Sequence, residues 1–235
     1  MTTKAEINAM VDRALQDDAG KLTSDEIDGF MTTEALQMYT RHRPYTAVVD
    51  LSANGTYSYE ISASAFPSWV DGFSYIAKIR YPAGEYQDPR DEEIAFEDWE
   101  IYETTTTKYL RFTSISPTSG KTIRVFHTAV HTIPASTAVS IYANDIGAFV
   151  NLTSSFCAAA IARGYGQTSN STIGADAIAY RDKSDIWASR AKELYTKYIE
   201  YMFPDQLDAS MAFREFDTKF EELGFSRLTH KAWTR

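Results

Sequence analysis

The spacing of apolar residues changes twice along the chain, and the two changes divide it. Within residues 3–18, Ile7, Met10, Val11, Ala14 and Leu15 recur at helical intervals, and Gly20 stands where a helix-ending glycine belongs; a short amphipathic helix is predicted. Thr23 and Glu26 form a capping-box pattern ahead of Ile27, Phe30, Met31, Leu36 and Met38. A second helix is therefore expected over 24–40, and Pro44 forbids its continuation.

From 44 to 133 the period drops to two. Runs at 45–51, 57–61, 73–81, 99–103, 108–113 and 122–132 read as strands, separated by turn-rich stretches such as 82–90 and 116–120. Ala53-Asn54-Gly55-Thr56 lies between the first two runs, and Asn-Gly between β-rich segments predicts a hairpin. Short strands with no long helix among them make an antiparallel sheet, sandwich or small barrel.

Beyond Pro134 the helical period returns more strongly. Asn144 and Asp145 can cap a helix reaching about Gly164, with Ile146, Phe149, Val150, Leu152, Phe156, Cys157 and Ile161 as its apolar set. Gly147, Ala148, Ser154, Ser155, Ala158, Ala159 and Ala162 give it a face of small residues, which permits close approach by a neighbouring helix. A linker at 164–172 leads to a helix over 174–202, about 40 Å long at 1.5 Å per residue. There Ile173, Tyr180, Trp187, Leu194 and Tyr201 lie seven apart, interleaved with Ala177, Ser184, Ala191 and Tyr198. This alternation of large and small residues is a seam for helix packing, within or between subunits. Pro204 ends the helix. One more amphipathic helix (Met211, Phe213, Phe216, Phe220, Leu223) stops near Gly224, and the tail 225–235 carries basic and aromatic residues without an acid.

The expected architecture is α+β: a helical bundle with a long C-terminal helix, interrupted by an inserted antiparallel β segment. Its parts are 1–43 (N-terminal helices), 44–133 (β insertion), 134–203 (helical hairpin) and 204–235 (C-terminal helix and arm).

Composition narrows the functional classes. The 235 residues are 44% hydrophobic and 23% charged, as in an ordinary globular protein. The net charge of −9 argues against a protein that lives by neutralising phosphates. Much of the acidity lies in 85–103, where Glu85, Asp88, Asp91, Glu92, Glu93, Glu97, Asp98, Glu100 and Glu103 face Arg90 alone. A carboxylate pair or calcium loop could use such residues, but alternate acids around a central glycine are missing, and a solvated acidic edge is the simpler reading. No apolar run approaches about 18 residues, so no membrane span is expected. The N-terminal residues turn charged at once, which predicts a chain assembled in the cytoplasm.

The remaining chemical motifs are weak. Ser119-Gly120-Lys121-Thr122 copies the end of a phosphate-binding loop, but Ile115 stands where its first glycine should be and a strand follows, so a hairpin turn is expected. His127 and His131 lie four apart on a strand, about 13 Å between Cα atoms, too far to share a metal. His42 and His230 have no acid or nucleophile at a useful spacing. Cys157, the only cysteine, sits on an apolar helix face and reads as an inert buried thiol. Asn151-Leu152-Thr153 matches a glycosylation triplet but falls in mid-helix. No catalytic constellation emerges, and neither an enzymatic role nor a cofactor is expected; a soluble enzyme would have to use the acidic cluster with His127 or His131.

The stretch from Ala143 to Met202 carries a resemblance. Two helices are joined through Ala158-Ala159-Ala160-Ile161-Ala162-Arg163-Gly164-Tyr165-Gly166-Gln167-Thr168-Ser169-Asn170-Ser171-Thr172-Ile173-Gly174-Ala175-Asp176. Tyr180-Arg181-Asp182-Lys183-Ser184 and Ala188-Ser189-Arg190-Ala191-Lys192-Glu193-Leu194 follow. Together with short N-terminal helices and a trailing arm, this stretch resembles the head-to-tail adaptor, or head-completion, proteins in the neck of tailed bacteriophages. The β segment is larger than in the minimal helical adaptors. The resemblance implies a structural virion protein assembled in the host cytoplasm as a ring, usually of twelve copies. Such a ring sits beneath the portal protein, contacts the tail or a second neck protein, and lets DNA pass without specific binding or any membrane. It further implies a portal-docking arm at Phe225, Arg227, His230, Lys231, Trp233 and Arg235, with Trp233 as anchor. Asp91, Glu92, Glu93, Glu97 and Asp98 are the acids expected to face the channel, where negative charge discourages DNA from sticking. A tail-terminator or baseplate component with a β binding module is the alternative, with six or three copies.

Overall fold

The first helix forms over the stretch that the apolar spacing marks, and its start is fixed by a capping box that the spacing does not reveal. In the computed structural model, which describes residues 2–16, 20–85, 92–168 and 174–204 (backbone only for 168 and 174–180), Thr3 caps α1 (Lys4–Leu15). The Thr3 hydroxyl accepts from the Glu6 N–H, and the Glu6 carboxylate accepts from the Thr3 N–H. Ile7, Val11 and Leu15 are buried. The helix stops at Leu15, short of Gly20, because Gln16 itself takes the left-handed conformation (φ 51°) and donates its N–H to the Asp12 carbonyl.

The Thr23–Glu26 capping box opens α2 (Ser24–Gly29), which passes into a π-helical stretch, Phe30–Ala35, and then α3 (Leu36–His42). The π turn has a local cause. Thr32 and Thr33 return their hydroxyls to the carbonyls of Asp28 and Gly29, four residues back, at 2.7 and 2.6 Å, in competition with the backbone N–H groups.

The chain divides into two compact units. The described residues of Met1–Ala35 and Tyr142–Arg235 form a helical unit, and Leu36–Ile141 forms a sheet unit. Relative to the expected 44–133, the sheet unit gains α3 and residues 134–141. His131 explains the gain. Its N–H donates to the Thr40 hydroxyl, its ring Nε2 lies 2.9 Å from the Arg43 carbonyl, and Nδ1 lies 3.1 Å from the Ser140 hydroxyl. Tyr39 packs on the same ring at 4.9 Å. The end of α3 and the stretch beyond the last strand are thus tied to one buried imidazole.

Among the described residues six strands make two antiparallel sheets: β1 (Tyr45–Ser52), β6 (Thr122–Ala129) and β3 (Ile76–Arg80) in the order β1-β6-β3, and β2 (Ser58–Glu60), β5 (Lys108–Phe112) and β4 (Trp99–Glu103) in the order β2-β5-β4. Ile79, Ile123 and Val125 of the first sheet share one core with Tyr59, Trp99, Leu110 and Phe112 of the second, closed by Phe66 and Ala53. This is a small sandwich in an α+β chain.

The expected hairpin at Asn54-Gly55 is absent. β1 pairs with β6, from Tyr45 opposite Ala129 to Ser52 opposite Thr122, and β2 pairs with β5. Gly55 (φ 81°) still turns the chain, and Asn54 Oδ1 accepts from the Thr56 N–H and hydroxyl, but the turn crosses from one sheet to the other. Asn-Gly dictates the bend, whereas the long apolar register of β1 on β6 selects the partner. The stretch Ser119–Thr122 behaves alike. Gly120 (φ 85°) turns between β5 and β6, which lie in different sheets, so it is a turn without a hairpin and without a phosphate cradle.

In the helical unit, α4 (Ile146–Thr168) follows a 3-10 turn at Ala143–Asp145 and runs past Gly164, since a glycine without a left-handed φ does not stop a helix held by its neighbours. Against expectation, Ala143–Gln167 is long and apolar enough by composition to cross a membrane, with mean hydropathy 1.4. Its alanines and large apolar residues make it so, with Asp145 and Arg163 the only charged residues in that span. Its window is 72% buried, as befits the central helix of a bundle packed by α1, the π stretch and α5 (Gly174–Met202).

Candidate functional site

The α4–α5 hairpin is the most specific arrangement in the helical unit. Ser184 donates to the Ala162 carbonyl at 2.9 Å, and at the other end the Tyr201 hydroxyl lies 2.7 Å from the Asn144 carbonyl and 3.0 Å from Asp145 Oδ1. Stretches of nearly equal length on the two helices separate these contacts, so the pair is antiparallel and in step. Small side chains on α4 allow it: Ser154, Ser155, Ala158 and Ala162 are all buried. Burial pushes the Tyr198 hydroxyl pKa well above its ordinary value, with nearby Tyr195 and Asp145 adding to the effect.

The seam residues divide accordingly. Ala191, Leu194 and Tyr198 are buried, and Ser184 and Trp187 are half-buried. These residues serve packing within the unit. Ile173, and the side chains of Ala177 and Tyr180, lie outside the described residues. Ile186, 66% exposed, points the other way. Arg190 ties α5 to α1 by donating from Nη2 to the Ala14 carbonyl.

The acidic cluster is not one surface. Glu92 is buried at 4% exposure and accepts the Gly84 N–H at 2.8 Å, so it cannot face a channel; it closes the turn beside β3. Asp98 accepts from the Ser114 hydroxyl, while Glu93 is exposed and bridges to Arg80 through the backbone. Glu97 is exposed, and Asp91 lies outside the described residues. Glu100 and Glu103 on β4 pair loosely across the sheet with Arg111 and Lys108, at 3.6 and 3.7 Å. The sequence places all these acids together, and the chain folds them into two roles: backbone closure and an exposed edge.

The histidines part company. His127 is fully buried between the Phe66 and Trp69 rings, at 5.6 and 5.7 Å, with no hydrogen-bond partner on either ring nitrogen. Burial lowers its pKa. His131 holds the junction of the sheet unit. Among the described residues no group of histidine, cysteine and carboxylate side chains converges for a metal. Cys157 is buried, and its thiol is pushed up to about 12, chiefly by burial.

The proposed docking arm, Phe225, Arg227, His230, Lys231, Trp233 and Arg235, lies outside the described residues, as does the helix expected over 211–223. The sequence does not reveal the apolar surface of the sheet unit: Phe96, Tyr57, Tyr75 and Val48 are each more than half exposed. Phe96, followed directly by Glu97 and Asp98, is the available signal. No protein-family model matches the chain, and no curated protein matches its sequence.

Proposed function

We propose that the protein is a structural component of a tailed-phage neck, an adaptor that assembles as a ring between portal and tail and continues the DNA channel. The observation that supports this reading is the in-step α4–α5 hairpin, which occupies the stretch 143–202 that resembles such adaptors. It is a rigid pair, closed by hydrogen bonds at both ends, suited to repeated side-by-side placement. The net charge of −9 multiplies with copy number and keeps passing DNA from binding. Native mass spectrometry of the purified protein, alone and with a portal, tests the reading. A ring of about twelve copies seated on the portal supports it; failure to join the portal refutes it. The separate core of the sheet unit favours a second reading, a tail-terminator or baseplate component, for which six or three copies are expected. Removal of residues 225–235 is expected to abolish joining to portal-bearing heads, and normal joining would dismiss the arm.

A further inference from the structure

The sheet unit has two flanks of opposite character. β1 passes to β2 through the short stretch 53–57, while residues 92–94, hydrogen-bonded along β3, pass through Phe96–Asp98 directly into β4. The edges β1 and β2 therefore share one flank, and β3 and β4 share the other. β1 and β4 each end a sheet, with no strand beyond them among the described residues.

The β3–β4 flank opens into a cleft of about 480 Å3 between Ala77, Lys78, Glu93, Ile94, Phe96 and Trp99. Phe96 is 77% exposed at its rim, and Ile101 and Tyr102 are exposed along the adjoining edge. An unpaired strand edge with an apolar row is a template for another chain. Glu100 and Glu103 on this edge are paired with Arg111 and Lys108, and the charge that remains around the cleft is that of the exposed Glu93 and Glu97 against Lys78. On the β1 flank Val48 and Tyr57 are exposed, as are Arg41 and Arg43 on the chain entering β1; of the acids on these strands, Asp50 is paired with Arg124 and Glu60 is exposed at the end of β2.

We infer that the β3–β4 flank of one copy docks on the β1 flank of the next, so that copies join head to tail. Apolar residues meet apolar residues, and the glutamates meet the arginines. The self-matched alternative sets the glutamates of one copy against those of another, like charge on like. Because two different surfaces meet, the contact repeats from copy to copy and closes when the rotation per copy divides a full turn. The inference rests on the ring reading for the number of copies alone; the contact itself is measurable without heads.

The test uses the full chain at about 100 µM, which populates contacts of that Kd or tighter, followed by sedimentation velocity and native mass spectrometry. Phe96→Asp with Ile101→Lys blocks one flank, and Val48→Glu with Arg41→Glu blocks the other. All four side chains are exposed, so circular dichroism should match that of the unaltered protein; the milder Phe96→Ser and Val48→Thr replace any variant that does not fold. The unaltered protein is expected to oligomerise, each blocked variant to sediment as a monomer, and their equimolar mixture to give one-to-one dimers and nothing larger. A monomeric unaltered protein, a blocked variant that assembles alone, or a mixture that stays monomeric overturns the inference. Head-to-tail assembly without attachment to portal-bearing heads refutes the neck reading and leaves the contact standing. Portal-bound rings kept by both blocked variants refute the contact and leave the neck reading standing.

Discussion

Ser184 on α5 donates its hydroxyl to the carbonyl of Ala162 on α4, and a Cβ added at Gly166, one turn after Ala162, would meet the Ser184 Oγ at 3.5 Å. The two helices are thus in contact through a hydroxyl and a missing side chain. Because 3.5 Å is ordinary van der Waals contact, Gly166→Ala is expected to stabilise the protein by about 0.5–1 kcal/mol through helix propensity. Ser184→Leu forces bulk into the same approach and is expected to cost about 1–3 kcal/mol. Thermal unfolding of the two variants should move in opposite directions.

His127 makes stability sensitive to mild acid. Buried between two aromatic rings, it stays neutral in the folded chain, and its pKa lies below the ordinary value near 6.5. Above that value neither state binds the proton, and stability is unaffected. As pH falls below it the unfolded chain takes up a proton that the folded chain refuses, so stability declines until the lowered folded pKa is reached. His42, also lowered by burial, acts in the same direction. His127→Phe should flatten most of the decline between pH 7 and 5 in urea unfolding; an unchanged slope would remove His127 as its source.

Asp50 and Arg124 make a two-pronged pair across β1 and β6, at 2.7 and 2.8 Å, and Arg124 holds the Asp50 carboxyl below its usual range. Both side chains are more than a third exposed, so water screens the pair. Its coupling in a double-mutant cycle is expected to be about 0.5–1 kcal/mol and to shrink in high salt. The contribution is present above the ordinary aspartate pKa and lost as pH falls through the lowered one.

Cys157 should ignore aqueous thiol reagents at pH 8 while the protein is folded. With its pKa at about 12 and no exposure, the thiolate is both scarce and inaccessible. Reaction should appear only with denaturant, at the rate of unfolding of the helical unit.

Local signals were legible and partner choice was not. Thr23 and the run 99–103 reveal a helix start and a strand because capping and alternation are decided within a few residues. Asn54-Gly55 misleads because a turn specifies a bend, whereas the pairing of β1 with β6 is settled by residues some seventy positions away. For the same reason Glu92 looks like its acidic neighbours in sequence and is buried in the fold: its role depends on the Gly84 N–H, which no spacing announces. The hydrogen bonds that enlist α3 in the sheet unit come from a histidine ninety residues downstream of it.

That histidine has a mechanical consequence. Arg43, between α3 and β1, and Ser140, where the chain is about to leave the sheet unit, are bonded to opposite nitrogens of one imidazole. Tension that passes α3 on one side or Ser140 on the other reaches the His131 ring before it reaches β1 or β6, so the ring is in parallel with the β1–β6 ladder. The sandwich can then stay folded while the chain on both sides of it is under load.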